Sequence, residues 1–134
     1  MTNVLFICKF NRFRSKVAEA VFNKINKNYK YKVKSAGIIK GNLLDKNQVS
    51  FSKERGYVIK NPPQGVSSKL LKWQDVIIIV ADDVPKSLFS GNVNYGKRLI
   101  TFKIKDAKSD DKKEVMRIID EIEEQVTKFV NKLK

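Results

Sequence analysis

The chain has 134 residues, 42% of them hydrophobic, which suits one domain around one core spanning 1–134. Its 28 Lys and Arg outnumber 14 Asp and Glu, a net charge of +14 that draws anions from phosphate to nucleic acid. With no histidine and one cysteine, the composition excludes an internal disulfide, zinc sites, and Cys-His or Ser-His catalysis.

The elements follow in chain order. Asn3–Ile7 is a short apolar run before a break and reads as a buried first strand. Ser15 to about Asn26 reads as a helix, with Val17, Ala18, Val21, Phe22 and Ile25 at helical spacing and Ser15 as its cap. Tyr31–Ser35 alternates as a second strand and ends at Ala36-Gly37. A helix from Asp45 to about Arg55 stops at Gly56, and Asn61–Gly65 is a loop. Ser67 or Ser68 caps a short helix, SKLLKW. Asp75–Val80 is β-branched and apolar on both faces, as a central parallel strand should be. A short helix follows over about Pro85–Phe89, then a fourth strand over Arg98–Ile104. The last helix starts near Ser109, with Asp110 and Asp111 suiting its first turn. Its apolar stripe runs from Val115 through Ile118, Ile119, Ile122, Val126, Phe129 and Val130 to Leu133. Alternating strands and helices predict a parallel sheet covered on both faces, an α/β fold.

No apolar run approaches the roughly 18 residues of a membrane span. MTNVLFICKF has no positive n-region or cleavage site of a signal peptide. With the lone cysteine, these features point to the cytoplasm. The lysines are scattered and form no arginine-rich tract, so they read as a solvated basic surface rather than a nucleic-acid face.

The chemistry gathers at Cys8-Lys9-Phe10-Asn11-Arg12-Phe13-Arg14-Ser15. Ligands of open α/β sheets bind beyond the carboxyl ends of the strands, and Cys8 stands at the end of the first. The loop after it feeds a helix N-terminus, whose free N–H groups and positive dipole end attract an oxyanion. Arg14 adds a planar fork of donors matched to two phosphate oxygens. The same field favours thiolate over thiol; cysteines so placed fall from a pKa of about 8.5 to as low as roughly 3.5–7.5. Ser15 can donate a hydrogen bond to the sulfur. The loop thus binds an oxyanion and presents a sulfur nucleophile beneath it, and attack on phosphorus would give a phosphocysteine that water later cleaves.

The spacing Cys-x-x-Asn-x-x-Arg-Ser, after an apolar strand and before Ala18-Glu19-Ala20, resembles the low-molecular-weight protein tyrosine phosphatases. Arsenate reductases of the same fold share it. The likeness continues through Ser35-Ala36-Gly37, Lys53-Glu54-Arg55-Gly56, Ile78–Asp82 and Asp106. It implies a metal-independent phosphomonoesterase without cofactor, acting on a phosphorylated protein or a small phosphomonoester. Cys8 would be the nucleophile. Arg14 and the loop from Lys9 through Phe10, Asn11, Arg12 and Phe13 to Arg14 would hold the phosphoryl oxygens. Asn11 would keep the loop in shape and Ser15 would stabilise the thiolate. Asp106 would protonate the leaving oxygen and then activate water. Asp82 stands where the family has an aspartate near the site.

The departures are also specific. The family usually has Asp-Pro at the acid, where this chain has Asp106-Ala107, with Asp110 and Asp111 as nearby rivals. The aromatics that wall a phosphotyrosine ring in the family are replaced by Ala107-Lys108 and Ile38–Asn42, leaving Phe10 and Phe13 to line the pocket or pack on the core. The second loop cysteine of many members is Phe13 here. Two alternatives follow: an arsenate reductase that uses an external thiol, or a binding module for phosphate or phosphoprotein that has lost efficient chemistry.

Overall fold

The computed structural model describes residues 1–94 and 96–133. Strand β1, Thr2–Cys8, lies inside the sheet and pairs in parallel with β2, Tyr31–Gly37, on one side and β3, Val76–Val80, on the other. β4, Arg98–Phe102, extends the sheet from β3, giving the order β2-β1-β3-β4 with every pair parallel. The chain leaves β1 toward β2 and later returns to β1's other edge with β3. The end of β1 is therefore a topological switch point, where open α/β sheets bind ligands.

Each strand divides its side chains between two cores, as the two-residue period of a strand requires. Val4 and Phe6 of β1, with Val76, Ile78 and Val80 of β3, face the larger core. That layer is covered by α1 (Arg14–Ile25), α2 (Lys46–Glu54) and α5 (Lys112–Lys132). Leu5, Ile7, Ile77 and Ile79 face the second core, under α3 (Ser68–Trp73) and a 3-10 turn at Lys86–Phe89 that runs into α4 (Ser90–Asn94). All five residues of β3 are buried, as its unbroken apolar run predicts. α5 buries Val115, Ile118, Ile119, Ile122, Val126, Phe129 and Val130. Phe22 of α1 meets Phe6 edge-to-face at 6.1 Å between centroids, closing this layer over β1.

The expected elements are present, with four differences. Ser15 does not cap α1: the helix begins at Arg14 with Phe13 at the cap, and the Ser15 hydroxyl is taken up inside the loop by Asn11 and Cys8. α5 begins at Lys112 rather than near Ser109, because Asp111 takes the cap and accepts from the Glu114 amide. β4 ends at Phe102 rather than Ile104. The Ile104 carbonyl still accepts the Asp82 amide, but it also serves a side chain of the site below. A helix not expected, α4, follows the 3-10 turn. Ser67, not Ser68, caps α3. No helix among the described residues is long and apolar enough to cross a membrane.

Candidate active site

β1 delivers Cys8 to the carboxyl edge of the sheet, and α1 starts six residues later at Arg14. The cap of α1, Phe13, offers no side-chain hydrogen bond to the first turn, so its N–H groups are not capped from within. Between strand and helix the chain curls through Asn11, whose φ of 55 lies in the left-handed region that asparagine tolerates better than most residues. Beside this loop runs the segment after β2. Ile38, Ile39 and Gly41 donate their amides to the carbonyls of Cys8, Lys9 and Phe10 at 3.1, 3.0 and 3.2 Å. The approach is close enough to require glycine. A Cβ on Gly37 would stand 2.6 Å from the Phe10 carbonyl carbon and 2.7 Å from the Asn11 nitrogen.

Asn11 is fully buried, and its side chain ties the loop to β2 and to the segment at Gln64. Its Oδ1 accepts the Gln64 amide at 2.9 Å, so its Nδ2 faces Ser15 Oγ at 2.8 Å and Ser35 Oγ at 3.0 Å. Ser35 Oγ in turn donates a hydrogen bond to Glu19 Oε1 at 2.7 Å. Ser15 Oγ, already accepting from Asn11, lies 3.0 Å from Cys8 Sγ and can direct its proton to the sulfur. Lys16, in the first turn of α1, is held below the ordinary lysine range by burial, opposed by the attraction of Glu19 and of Cys8.

Arg14 is 3% exposed, a charge that must be paired where it lies. Nη1 donates to the Ile104 carbonyl at 2.9 Å, and Nη2 straddles the Asp83 carboxylate at 3.0 and 3.3 Å. Asp82 stands 3.7 Å and Asp106 3.9 Å from the same guanidinium. Nε makes no hydrogen bond among the described residues. Asp83 thus holds the arginine more closely than Asp82, the aspartate expected there. The Asp82-Asp83 doublet gave no signal to separate them.

Cys8, Phe10, Arg12, Phe13, Arg14 and Asp106 line one open cleft of about 220 Å³, with Asp45, Gln48, Ala107 and Ser109 completing its rim. The cleft therefore gathers a thiol, a clamped cation and a carboxylate, the parts for nucleophilic attack on an anionic centre with proton transfer. Asp106 is half exposed, and its Oδ1 accepts from the Ala107 amide at 3.0 Å. Asp110 and Asp111, the rival acids, do not line the cleft. Phe10 is 38% exposed at the mouth and Phe13 only 4%, so Phe10 can wall a ligand while Phe13 also belongs to the larger core. Lys9 lies over the Phe10 ring, with Nζ 5.3 Å from its centroid. Sequence reasoning did not single out Asp45, Gln48, Gln64 or Asp83, which come from distant segments joined only by the fold. Among the described residues, no three His, Cys, Asp or Glu side chains are grouped to hold a metal ion.

A family model described as "Low molecular weight phosphotyrosine protein phosphatase" matches residues 3–134. The structure is similar to that of arsenate reductase from Archaeoglobus fulgidus DSM 4304, with 30% identity, a TM-score of 0.76, and 96% of this chain and 98% of that one covered. It is also similar to the low molecular weight protein tyrosine phosphatase from T. tengcongensis, with 24% identity, a TM-score of 0.82, and 98% and 99% coverage. The YwlE arginine phosphatase from Geobacillus stearothermophilus superimposes with a TM-score of 0.83 at 19% identity, covering 99% of this chain and 93% of that one. Comparison with curated proteins finds no match. A lone thiol at a parallel-sheet switch point, a buried arginine six residues after it and a match over nearly the whole chain agree, and the chain belongs to the low molecular weight phosphotyrosine protein phosphatase family.

Proposed function

We propose that this protein is a cysteine-dependent phosphomonoesterase that works through a phosphocysteine, with phosphotyrosine in proteins as its substrate class. The observation that carries the proposal is the placement of Cys8, Arg14 and Asp106 on one cleft, with Ser15 Oγ 3.0 Å from the sulfur.

The phosphoryl group sits on the loop, with the backbone amides from Lys9 to Arg14, and Ser15 behind them, around its oxygens. Arg14 supplies the fixed positive charge. Its clamp by Asp83 and Ile104 removes the need to reorganise when negative charge develops in the transition state. Cys8 sulfur attacks phosphorus as the ester oxygen departs, and Asp106 gives that oxygen a proton. Water then attacks the phosphocysteine. Asp106 takes its proton, phosphate leaves, and the thiolate returns with the hydrogen bond of Ser15. No metal enters these steps. Phe10 offers the aromatic wall for the leaving group.

The first test is hydrolysis of an aryl phosphate in chelator by the wild type and by Cys8→Ser. Turnover that disappears in the variant supports the proposal; metal-dependent turnover, or turnover that survives the substitution, overturns it. A second reading, arsenate reduction, is favoured by the 30% identity to an arsenate reductase. Cys8 is the only cysteine, so an external thiol would attack the Cys8–arsenate adduct. As arsenic(V) becomes arsenic(III), Cys8 and that thiol would be oxidised to a mixed disulfide, which further thiol reduces. Arsenite formed only with added thiol would establish this activity. Phosphate binding without either turnover would leave a non-catalytic binding module.

A further inference from the structure

A second cleft of about 230 Å³ adjoins the first and shares two of its walls, Phe10 and Arg12; Lys40, Gly41 and Asn42 complete it. No acid lines it. Arg12 is fixed but not consumed. Its Nε donates to the Leu43 carbonyl at 3.0 Å, while Nη1 and Nη2 make no hydrogen bond or ion pair among the described residues. The stem of Arg12 lies where a side chain at position 41 would be. A Cβ on Gly41 would stand 2.7 Å from Arg12 Cγ and 2.9 Å from its Cδ. Lys40 is exposed on the same cleft, and Lys9 Nζ lies over the ring of Phe10, which both clefts share. Three cations therefore stand about an exposed aromatic ring that lines both clefts, two positions after Cys8 in the chain. The carboxylate on the neighbouring rim, Asp45, is occupied in accepting the Gln48 amide at the cap of α2.

We infer that this cleft is a second anion subsite, in which Arg12 and Lys40 receive a carboxylate from an Asp or Glu flanking the phosphorylated residue. The free end of Arg12 presents the planar fork that matches a carboxylate. The inference rests on the phosphatase reading only in seating the phosphoryl group on the Cys8 loop. It makes the protein selective for acidic phosphopeptides and disfavours substrates with a cationic group beside the phosphorus, because Arg12 would repel it.

The test uses two phosphotyrosine peptides that differ only in the residues beside the phosphotyrosine, aspartate in one and asparagine in the other. Affinities are read by fluorescence anisotropy on the Cys8→Ser protein at near-physiological salt, so the ratio is independent of turnover. The aspartate peptide should bind roughly fivefold tighter, the most that a solvent-facing ion pair ordinarily gives. Adding Arg12→Gln or Lys40→Gln should bring the ratio close to one. Adding Lys30→Gln, an exposed lysine at the opposite end of β2, should leave it unchanged. Equal affinities in the Cys8→Ser protein, failure to bind either peptide, or a preference that survives both Arg12→Gln and Lys40→Gln overturns the subsite. Turnover of the asparagine peptide by the wild type decides the phosphatase reading separately.

Discussion

Asn11 Nδ2 stands 2.8 Å from Ser15 Oγ, and an amide nitrogen only donates. The hydroxyl must therefore spend its own proton elsewhere, and Cys8 Sγ at 3.0 Å is the acceptor within reach. One asparagine sets the direction of the hydrogen bond that the sulfur receives. Ser15→Ala should lower kcat for an aryl phosphate by roughly tenfold to a hundredfold, the scale of one hydrogen bond to a charged group. Asn11→Ala should lose activity and also stability, because alanine is strained at the positive φ. Asn11→Gly should lose activity with about 1 kcal/mol less of that strain, as urea unfolding would show. Equal stabilities of the two Asn11 variants would remove the backbone half of this account.

Asp106 carries the proton in the proposed mechanism, so its importance should grow with the basicity of the leaving oxygen. Asp106→Asn should cost about 10²-fold or more for a phenyl phosphate and far less for an aryl phosphate bearing electron-withdrawing groups. Steady-state kinetics over a leaving-group series checks this. A uniform loss across the series would mean that Asp106 acts only through its charge near Arg14.

The contact between the two loops at Gly37 is between backbones, and backbones cannot swing aside. Gly37→Ala should displace the loop at Phe10 and Asn11, weaken phosphate binding and lower kcat, while circular dichroism stays that of the wild type. Inorganic phosphate inhibition measures the binding directly. Wild-type inhibition by phosphate in Gly37→Ala would show that the loop tolerates the added methyl group.

Away from the site, Tyr57 is 5% exposed and donates its phenol to Glu123. Burial, and then the hydrogen bond and charge of Glu123, hold its proton well above the ordinary tyrosine range. The folded state thus keeps a proton that the unfolded chain releases near its ordinary pKa of about 10. The contribution of Tyr57 is whole below about pH 10 and is lost as the pH rises further, since unfolding then releases the proton. Tyr57→Phe should be less stable at neutral pH but lose less between about pH 9 and 11 than the wild type. Urea midpoints across that range provide the comparison.

What could be read in the sequence was set by local rules. VIIIV makes a central strand because every residue is buried on one face or the other, and Asp45 and Ser67 cap helices through hydrogen bonds to residues three positions away. The start of α5 is ambiguous in the sequence because Ser109, Asp110 and Asp111 can all cap; in the fold Asp111 takes the Glu114 amide. Cys8, Asn11, Arg14 and Ser15 announced themselves because a strand, a loop of fixed length and a helix place them together. Asp83 and Gln64 did not, because each reaches the loop from more than 50 residues away, at 69 and 53 positions of separation. Of two adjacent aspartates, the pairing with Arg14 decides which one serves.

The bond from Arg14 to the Ile104 carbonyl spans 90 positions of chain. Cys8 and Arg14 are made together, yet the Ile104 carbonyl that holds the arginine, and Asp106 beside it, follow Arg14 by 90 positions or more. A growing chain therefore lacks the Ile104 end of the Arg14 clamp until β4 and the residues after it have left the exit tunnel and β4 has joined the sheet. Long-range closure of this kind is a late event in folding. Activity should consequently appear with completion of the sheet, and not in proportion to the length synthesised.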